Sequence, residues 1–191
     1  AKAGGGKVVF DIDYRPVLWG LTSPGLGERR YVASDAVSRE LQAVLPLADL
    51  IVGTEEEVHI AGGSTGTLAA LRRMREVSPA LLVMKRGPMG CVAYPGAIPA
   101  ALDDGIAGPG FPVEVFNVLG AGDAFMAGLL RGWVRDAPLA DALRYANACG
   151  AIVVSRHGCA PAMPSWGELS HFLAHGSAHR RLREDVRLEH L

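Results

Sequence analysis

The chain has 191 residues, 49% of them hydrophobic and 20% charged, with a formal net charge of −1. That balance suits one buried core, and without a basic face it excludes nucleic acid as an expected partner. No apolar run approaches the ~20 residues that cross a bilayer, the glycine-rich opening from Lys2 to Lys7 does not read as a signal peptide, and the three scattered cysteines, Cys91, Cys149 and Cys159, predict reduced thiols in a cytoplasmic protein.

Residues 1–6 read as the tail of a helix whose body is absent, and Val8-Val9-Phe10 then begins a buried strand at once. A domain rarely starts this way, so the expectation is truncation at the N-terminus. The strand, over 7–13, is apolar through Ile12 and carries carboxylates at its end, Asp11 and Asp13. Open α/β sheets bind ligands at the C-terminal ends of parallel strands. Asp13 and Arg15 have two readings. One is a turn pair, with Pro16 and Trp19 as packing. The other gives the forked Arg15 guanidinium a substrate or phosphate oxygen.

Ser34 reads as the N-cap of a helix over 35–45, with Val37, Leu41, Val44 and Leu45 on one face. A short strand over 49–53 follows. Thr54 and Glu57 then have the spacing of a capping box. Gly62-Gly63-Ser64-Thr65 reads as a loop before a helix over 66–77. It is not a P-loop, because it follows a short helix and lacks the Gly-Lys-Ser/Thr ending. Strands are predicted over 81–85 and 91–94, and the turn between them, Arg86-Gly87-Pro88-Met89-Gly90, is hairpin punctuation. Residues 95–111, rich in proline and glycine, predict a loop with at most one edge strand.

An apolar strand over 112–116 is then expected to run into Asn117-Val118-Leu119-Gly120-Ala121-Gly122-Asp123, from which a small-residue helix departs. Two glycines at a helix mouth let backbone N–H groups form a nest for an anion. Asp123 falls in the first turn. There it either complements the helix dipole or takes a proton from an attacking hydroxyl beside the phosphate cradle. Pro138 opens a long helix reaching about Ser155, with Asn147 as the polar residue near its apolar face; a satisfied packing amide is the plain reading. A short helix covers 166–174. His171, His175 and His179 share a stripe, but without carboxylate or cysteine partners a solvated face is expected rather than zinc. Residues 175–191 predict a charged linker or helix leading out of the domain. The alternation of strands and helices argues an α/β layer with a parallel sheet. No Gly-x-Gly-x-x-Gly follows the first strand, so a dinucleotide fold is rejected.

The stretch ending in Gly120-Ala121-Gly122-Asp123 resembles the C-terminal signature of the ribokinase-like (PfkB) carbohydrate kinases, commonly Asp-Thr-x-Gly-Ala-Gly-Asp. Asp11-Ile12-Asp13-Tyr14-Arg15-Pro16-Val17-Leu18-Trp19 and Ser155-Arg156-His157-Gly158-Cys159-Ala160-Pro161-Ala162-Met163-Pro164 are similar to the inositol-catabolic branch of that family, the 5-dehydro-2-deoxygluconokinases. The resemblance covers about residues 1–174 and only the C-terminal part of the family's domain. It implies a three-layer α/β/α fold with a mainly parallel central sheet, N-terminally truncated. It also implies ATP-dependent phosphoryl transfer to a sugar-acid hydroxyl.

Residue by residue, the resemblance makes Asp123 the catalytic base and places the N–H groups of Gly120, Ala121 and Gly122 at the anion hole. Lys85, Gly87, Gly90, Asn147 and Gly158 fall beside ATP. Arg15 and Asp13 fall at substrate or phosphate, and Glu57 acts on Mg2+ through water. Asn117 and Ala162 depart from the family's pattern at positions bordering its monovalent-cation loop, which leaves potassium dependence open. The partners implied are ATP and a small sugar acid, with a homodimer and a fused C-terminal domain as further expectations; nucleic acid and membrane are not expected. The other class of function left open is a non-catalytic nucleotide-binding or interaction module.

Overall fold

The structure, a computed structural model, describes residues 2–23 and 31–176. His179 and residues 180–191 lie outside the described residues. Two compact units divide the chain. The first takes residues up to Gly87 together with Val92–Ile106; the second takes Pro88–Cys91 together with the residues from Ala107 on.

In the first unit, β1 (Val9–Asp11), β2 (Leu50–Thr54) and β3 (Leu81–Lys85) pair in parallel, with Phe10 opposite Ile51 and Ile51 opposite Leu82. Parallel neighbours need crossovers. Helix α1 (Asp35–Val44) supplies the first, and α2 (Glu55–Gly62) with α3 (Thr67–Val77) the second. The sheet continues through β4 (Cys91–Tyr94) and β5 (Ile106–Gly108), in the order β1-β2-β3-β4-β5. Residues 86–90 are too few for a crossover, so β4 returns antiparallel to β3. The strands bury Leu50, Ile51, Val52, Leu82, Val83 and Met84 almost completely, as near-continuous apolar runs.

The helices start where side chains can close their first turns. The Ser34 hydroxyl accepts from Val37 N–H at 3.4 Å. Thr54 and Glu57 form the predicted capping box, with Thr54 N–H donating to Glu57 Oε2 at 2.7 Å and Glu57 N–H to Thr54 Oγ1 at 3.3 Å. The amphipathic face of α1 buries Val37 and Leu41 against Ile60 and Met74 of the same core cluster.

The second unit is built on α4 (Ala121–Trp133), α5 (Leu139–Val154) and α6 (Trp166–His175). Gly128 and Gly132 of α4 meet the backbone at Tyr145 and the Cβ of Ala142, respectively, so the two helices approach closely. Ala148, Ile152, Val153, Leu169 and Phe172 share one buried cluster.

Several expectations shift at the edges. The first strand is Val9–Asp11 rather than 7–13. Ile12 N–H still donates to Val52 at 2.9 Å, but Asp13 turns to φ +36° and ends the ladder. Among the described residues, 2–6 hold only a 3-10 turn, Lys2–Gly4. The first helix stops at Val44, and Pro46 sits in a 3-10 turn, Leu45–Leu47. Helix α3 starts at Thr67 with Gly66 as N-cap, and Gly62 belongs to α2. The strand expected over 112–116 does not form. Pro112 has no N–H to offer a ladder, and Phe116 and Asn117 instead donate to the Val154 carbonyl, at 2.8 and 3.3 Å.

Candidate active site

In the first unit the C-terminal edge of the sheet gathers charge. Lys85 ends β3 directly opposite Thr54 of β2. Its ammonium lies 3.2 Å from Asp11 Oδ1, on the last residue of β1, and 4.0 Å from Glu57 Oε2, in the first turn of α2. Glu57 is buried, and its Oε2 also accepts the Thr54 N–H, so the capping box fixes the carboxylate that Lys85 faces. Two residues beyond Asp11, Asp13 adopts φ +36°, a conformation rare outside glycine and characteristic of strained functional segments. Its Oδ1 pairs with the Arg15 guanidinium at 2.7 Å, and both side chains are half exposed or more. The turn pair and the substrate-facing guanidinium, read as alternatives in the sequence, are compatible in this geometry. Gly87, in the turn after β3, has φ +56°.

In the second unit, Asn117 ties down the loop before α4. Its Oδ1 accepts from Leu119 N–H at 2.8 Å, and its Nδ2 donates to the Gly158 carbonyl at 3.0 Å. The N-cap of α4 is Gly120, at φ +82°, where a Cβ would overlap the Cys159 sulfur. A glycine cap has no side chain to close the turn. Ala121 N–H turns back to the Val118 carbonyl at 3.3 Å, which leaves the other N–H groups that open α4 for an anion, at the positive end of the helix dipole. Asp123 is exposed in that first turn, and its carboxylate has no hydrogen-bond or ion-pair partner among the described residues. A free carboxylate next to uncapped amides can accept a proton while the amides hold negative charge.

Gly90, at φ +87°, packs where a Cβ would overlap the backbone of Gly108. Asn147 is buried. Its Nδ2 donates to the carbonyls of Gly108 and Leu143 at 2.9 and 3.1 Å and touches Cys91 Sγ at 3.2 Å. The amide hydrogens are therefore engaged in packing. Burial pushes the Cys91 and Cys149 thiols up to about 11, so neither is a nucleophile near neutral pH. The His171 and His175 rings stack at 4.2 Å on an exposed face, and no group of three or more metal-ligating His, Cys, Asp or Glu side chains exists among the described residues.

Sequence reasoning named Lys85, Asp11 and Glu57 separately but not their pairing. The contact between Lys85 and Asp11 joins positions 74 residues apart, and only the order of parallel strands brings them together. A charged residue ending each of two apolar strands was the available signal. Cys159 against Gly120 had none, because that contact depends on how the turn after α5 folds back.

The fold has counterparts among known proteins. The model of the pfkB family carbohydrate kinases matches residues 29–166. The chain is 30% identical over 188 residues to 5-dehydro-2-deoxygluconokinase of Geobacillus kaustophilus, covering 95% of this chain and 51% of the relative. Among solved structures, aminoimidazole riboside kinase from Salmonella enterica, complexed with aminoimidazole riboside and an ATP analog, is 27% identical with a TM-score of 0.70, over 91% of this chain and 54% of that one. Fructokinase from Vibrio cholerae, in its fructose-, ADP- and calcium-bound form, is 28% identical with a TM-score of 0.67, over 90% and 52%. The chain thus spans about half the length of the curated relatives it matches. Its sheet and helices are those of a ribokinase-like α/β fold, and the chain belongs to the pfkB family of carbohydrate kinases.

Proposed function

We propose that this chain is the nucleotide-binding part of a cytoplasmic sugar-acid kinase, which passes a phosphoryl group from ATP to a hydroxyl of 5-dehydro-2-deoxygluconate. The observation that carries the reading is Asp123, an unpartnered carboxylate in the first turn of a helix whose N-cap, Gly120, leaves the amides uncapped. A pure binding module has no use for a base there.

The residues fit the groups that such a reaction needs. The amides from Gly120 to Gly122, of which Ala121 N–H also reaches the Val118 carbonyl at 3.3 Å, suit a phosphate oxygen. Magnesium takes oxygen ligands and keeps several waters. Glu57 and Asp11 suit it through such waters, since no full set of protein ligands is present among the described residues. ATP supplies the transferable phosphoryl group, and the divalent cation screens its charge.

The protein's own steps are then definite. Asp123 takes the proton from the acceptor hydroxyl. The N–H groups at the start of α4 hold the negative charge that develops on the phosphoryl oxygens. Arg15, kept in place by Asp13 at 2.7 Å, orients a substrate or phosphate oxygen. Gly87, Gly90 and Gly158 allow backbone to approach the nucleotide, and Asn147 fixes the Gly108 carbonyl beside it. Removing a base costs about 10² to 10⁴ in rate and removing one oxyanion donor about 10² to 10³. At ~1.4 kcal/mol per decade, positioning supplies the rest.

Similarity to the fructokinase from Vibrio cholerae supports a second reading within the family, a kinase for another keto sugar or a 2-keto-3-deoxygluconate-type acid. A homodimer is part of the proposal, with exposed Leu18 and Trp19 as apolar surface for it; light scattering checks it. The main test is calorimetry of ATP with and without magnesium, followed by a transfer assay with 5-dehydro-2-deoxygluconate, fructose and 2-keto-3-deoxygluconate on the whole protein. Nucleotide binding with transfer to none of these acceptors would replace the kinase reading by that of a non-catalytic module.

A further inference from the structure

Three side chains from three neighbouring elements meet at one edge of the sheet. Asp11 ends β1, Lys85 ends β3, and Glu57 stands in the first turn after β2. Because β1, β2 and β3 are parallel, all three lie at the C-terminal edge. They are mostly shielded, with side-chain exposures of 28% for Asp11, 15% for Lys85 and 9% for Glu57. Nearby charges cancel in pairs: Asp13 with Arg15 at 2.7 Å, and Arg86 with Asp103 at 2.6 Å. The trio carries an excess of its own, two carboxylates against one ammonium, and Glu55 and Glu56 in the same first turn of α2 add to it.

This arrangement conflicts with the expected ligand. Two poorly solvated carboxylates at a ligand-binding edge repel a nucleotide's phosphates, and the repulsion is larger than in water because the local dielectric is low. Lys85 offsets one of the two charges. Its position between them, 3.2 Å from one and 4.0 Å from the other, is also where it restrains both carboxylates.

We propose that Lys85 is a positioning residue, a built-in counter-ion for Asp11 and Glu57 that sets how strongly nucleotide binding depends on a divalent cation. The inference rests on the nucleotide reading above and assigns Lys85 a role through the carboxylates rather than through direct phosphate contact. With Lys85 present, the edge tolerates a metal-free nucleotide. Without it, only a metal-loaded nucleotide brings enough positive charge.

The test is calorimetric affinity of the whole protein for ATP in EDTA and for ATP with saturating magnesium. Lys85→Met should weaken metal-free ATP about tenfold more than the magnesium complex. Lys85→Arg, which keeps the charge, should hold the ratio near wild type. Asp11→Asn, with Lys85 intact, should move the ratio the other way, and it decides the matter if Lys85→Met fails to fold. A lysine that served only stability would weaken both forms by the same factor, and that result overturns the proposal, as does an unchanged ratio in Asp11→Asn. A wild type that binds neither form overturns the inference together with the nucleotide reading. One that binds both, with an unaltered ratio in Lys85→Met, overturns the inference alone.

Discussion

Asn117 donates from Nδ2 to the Gly158 carbonyl at 3.0 Å and thereby ties the loop before α4 to the turn after α5. The same side chain accepts from Leu119 N–H through Oδ1 at 2.8 Å. Only an amide can do both, since an ionised carboxylate accepts but does not donate. Asn117→Asp, the residue common at this place in the family signature, should therefore keep the Leu119 bond and lose the Gly158 anchor. A lost hydrogen bond of this kind costs about 0.5–1.5 kcal/mol, or about 1–6 °C in Tm for a chain of this size. Differential scanning calorimetry checks it. An unshifted Tm would mean that the exposed anchor contributes nothing.

Gly120 and Cys159 should be coupled. At φ +82° an alanine is strained, and its Cβ would overlap the Cys159 sulfur. Gly120→Ala should cost about 1–3 kcal/mol from the backbone alone, with the clash added. Cys159→Gly removes the clash and not the strain. In a double-mutant cycle the pair should cost less than the sum of its parts by about 0.5–3 kcal/mol. Strict additivity would show that the loop moves away from Cys159 freely.

The parts of the fold legible in the sequence were those set by near neighbours along the chain. Ser34 and the Thr54–Glu57 box could be read by spacing alone, because a cap is a contact across three residues. The strand over 112–116 was misread for the complementary reason. Its alternation of Val113, Glu114, Val115 and Phe116 fits a strand, but a strand needs a partner, and Phe116 turns to the Val154 carbonyl instead. The start of α4 was legible because two glycines at a helix mouth with an acidic residue in the first turn are a local pattern. The Lys85 bridge was not, because it depends on strand order.

Acid should weaken the second unit at α6. Glu168 accepts from Ser165 N–H at 2.8 Å and from Arg156 at 2.6 Å. The Ser165 backbone N–H first, then its hydroxyl and the Arg156 guanidinium, hold the carboxyl down at about 2, against an ordinary 4.5. The folded value is depressed, so the stabilisation is fully present above about 4.5 and is lost as pH falls toward about 2. Both partners are over a third exposed, and solvent screening keeps the effect modest. Wild type should melt above Glu168→Gln at pH 6, and the gap should close as the pH falls through that window. A gap that stays constant to pH 2 would assign the difference to shape rather than charge.

Asp123→Asn is the sharpest test of the chemistry. The substitution keeps size and polarity and leaves the Gly120 cap untouched, so the anion nest and nucleotide affinity should change little. The amide cannot accept the hydroxyl proton, and kcat should fall by about 10² to 10⁴. Because Asp123 is exposed and has no partner among the described residues, its loss should cost no more than the about 0.3–1 kcal/mol of its interaction with the α4 dipole. A simple unfolding explanation is thereby separable: Tm should fall by no more than about 4 °C while turnover collapses. Glu57→Gln should behave differently. Its carboxylate lies within 4.0 Å of Lys85 and accepts the Thr54 N–H. That variant should lower Tm and raise the magnesium needed for half-maximal rate, while turnover at saturating metal falls less than in Asp123→Asn. Near-normal turnover in Asp123→Asn, measured on the whole protein with 5-dehydro-2-deoxygluconate, would remove Asp123 as the base. The carboxylate would then serve only the dipole of α4.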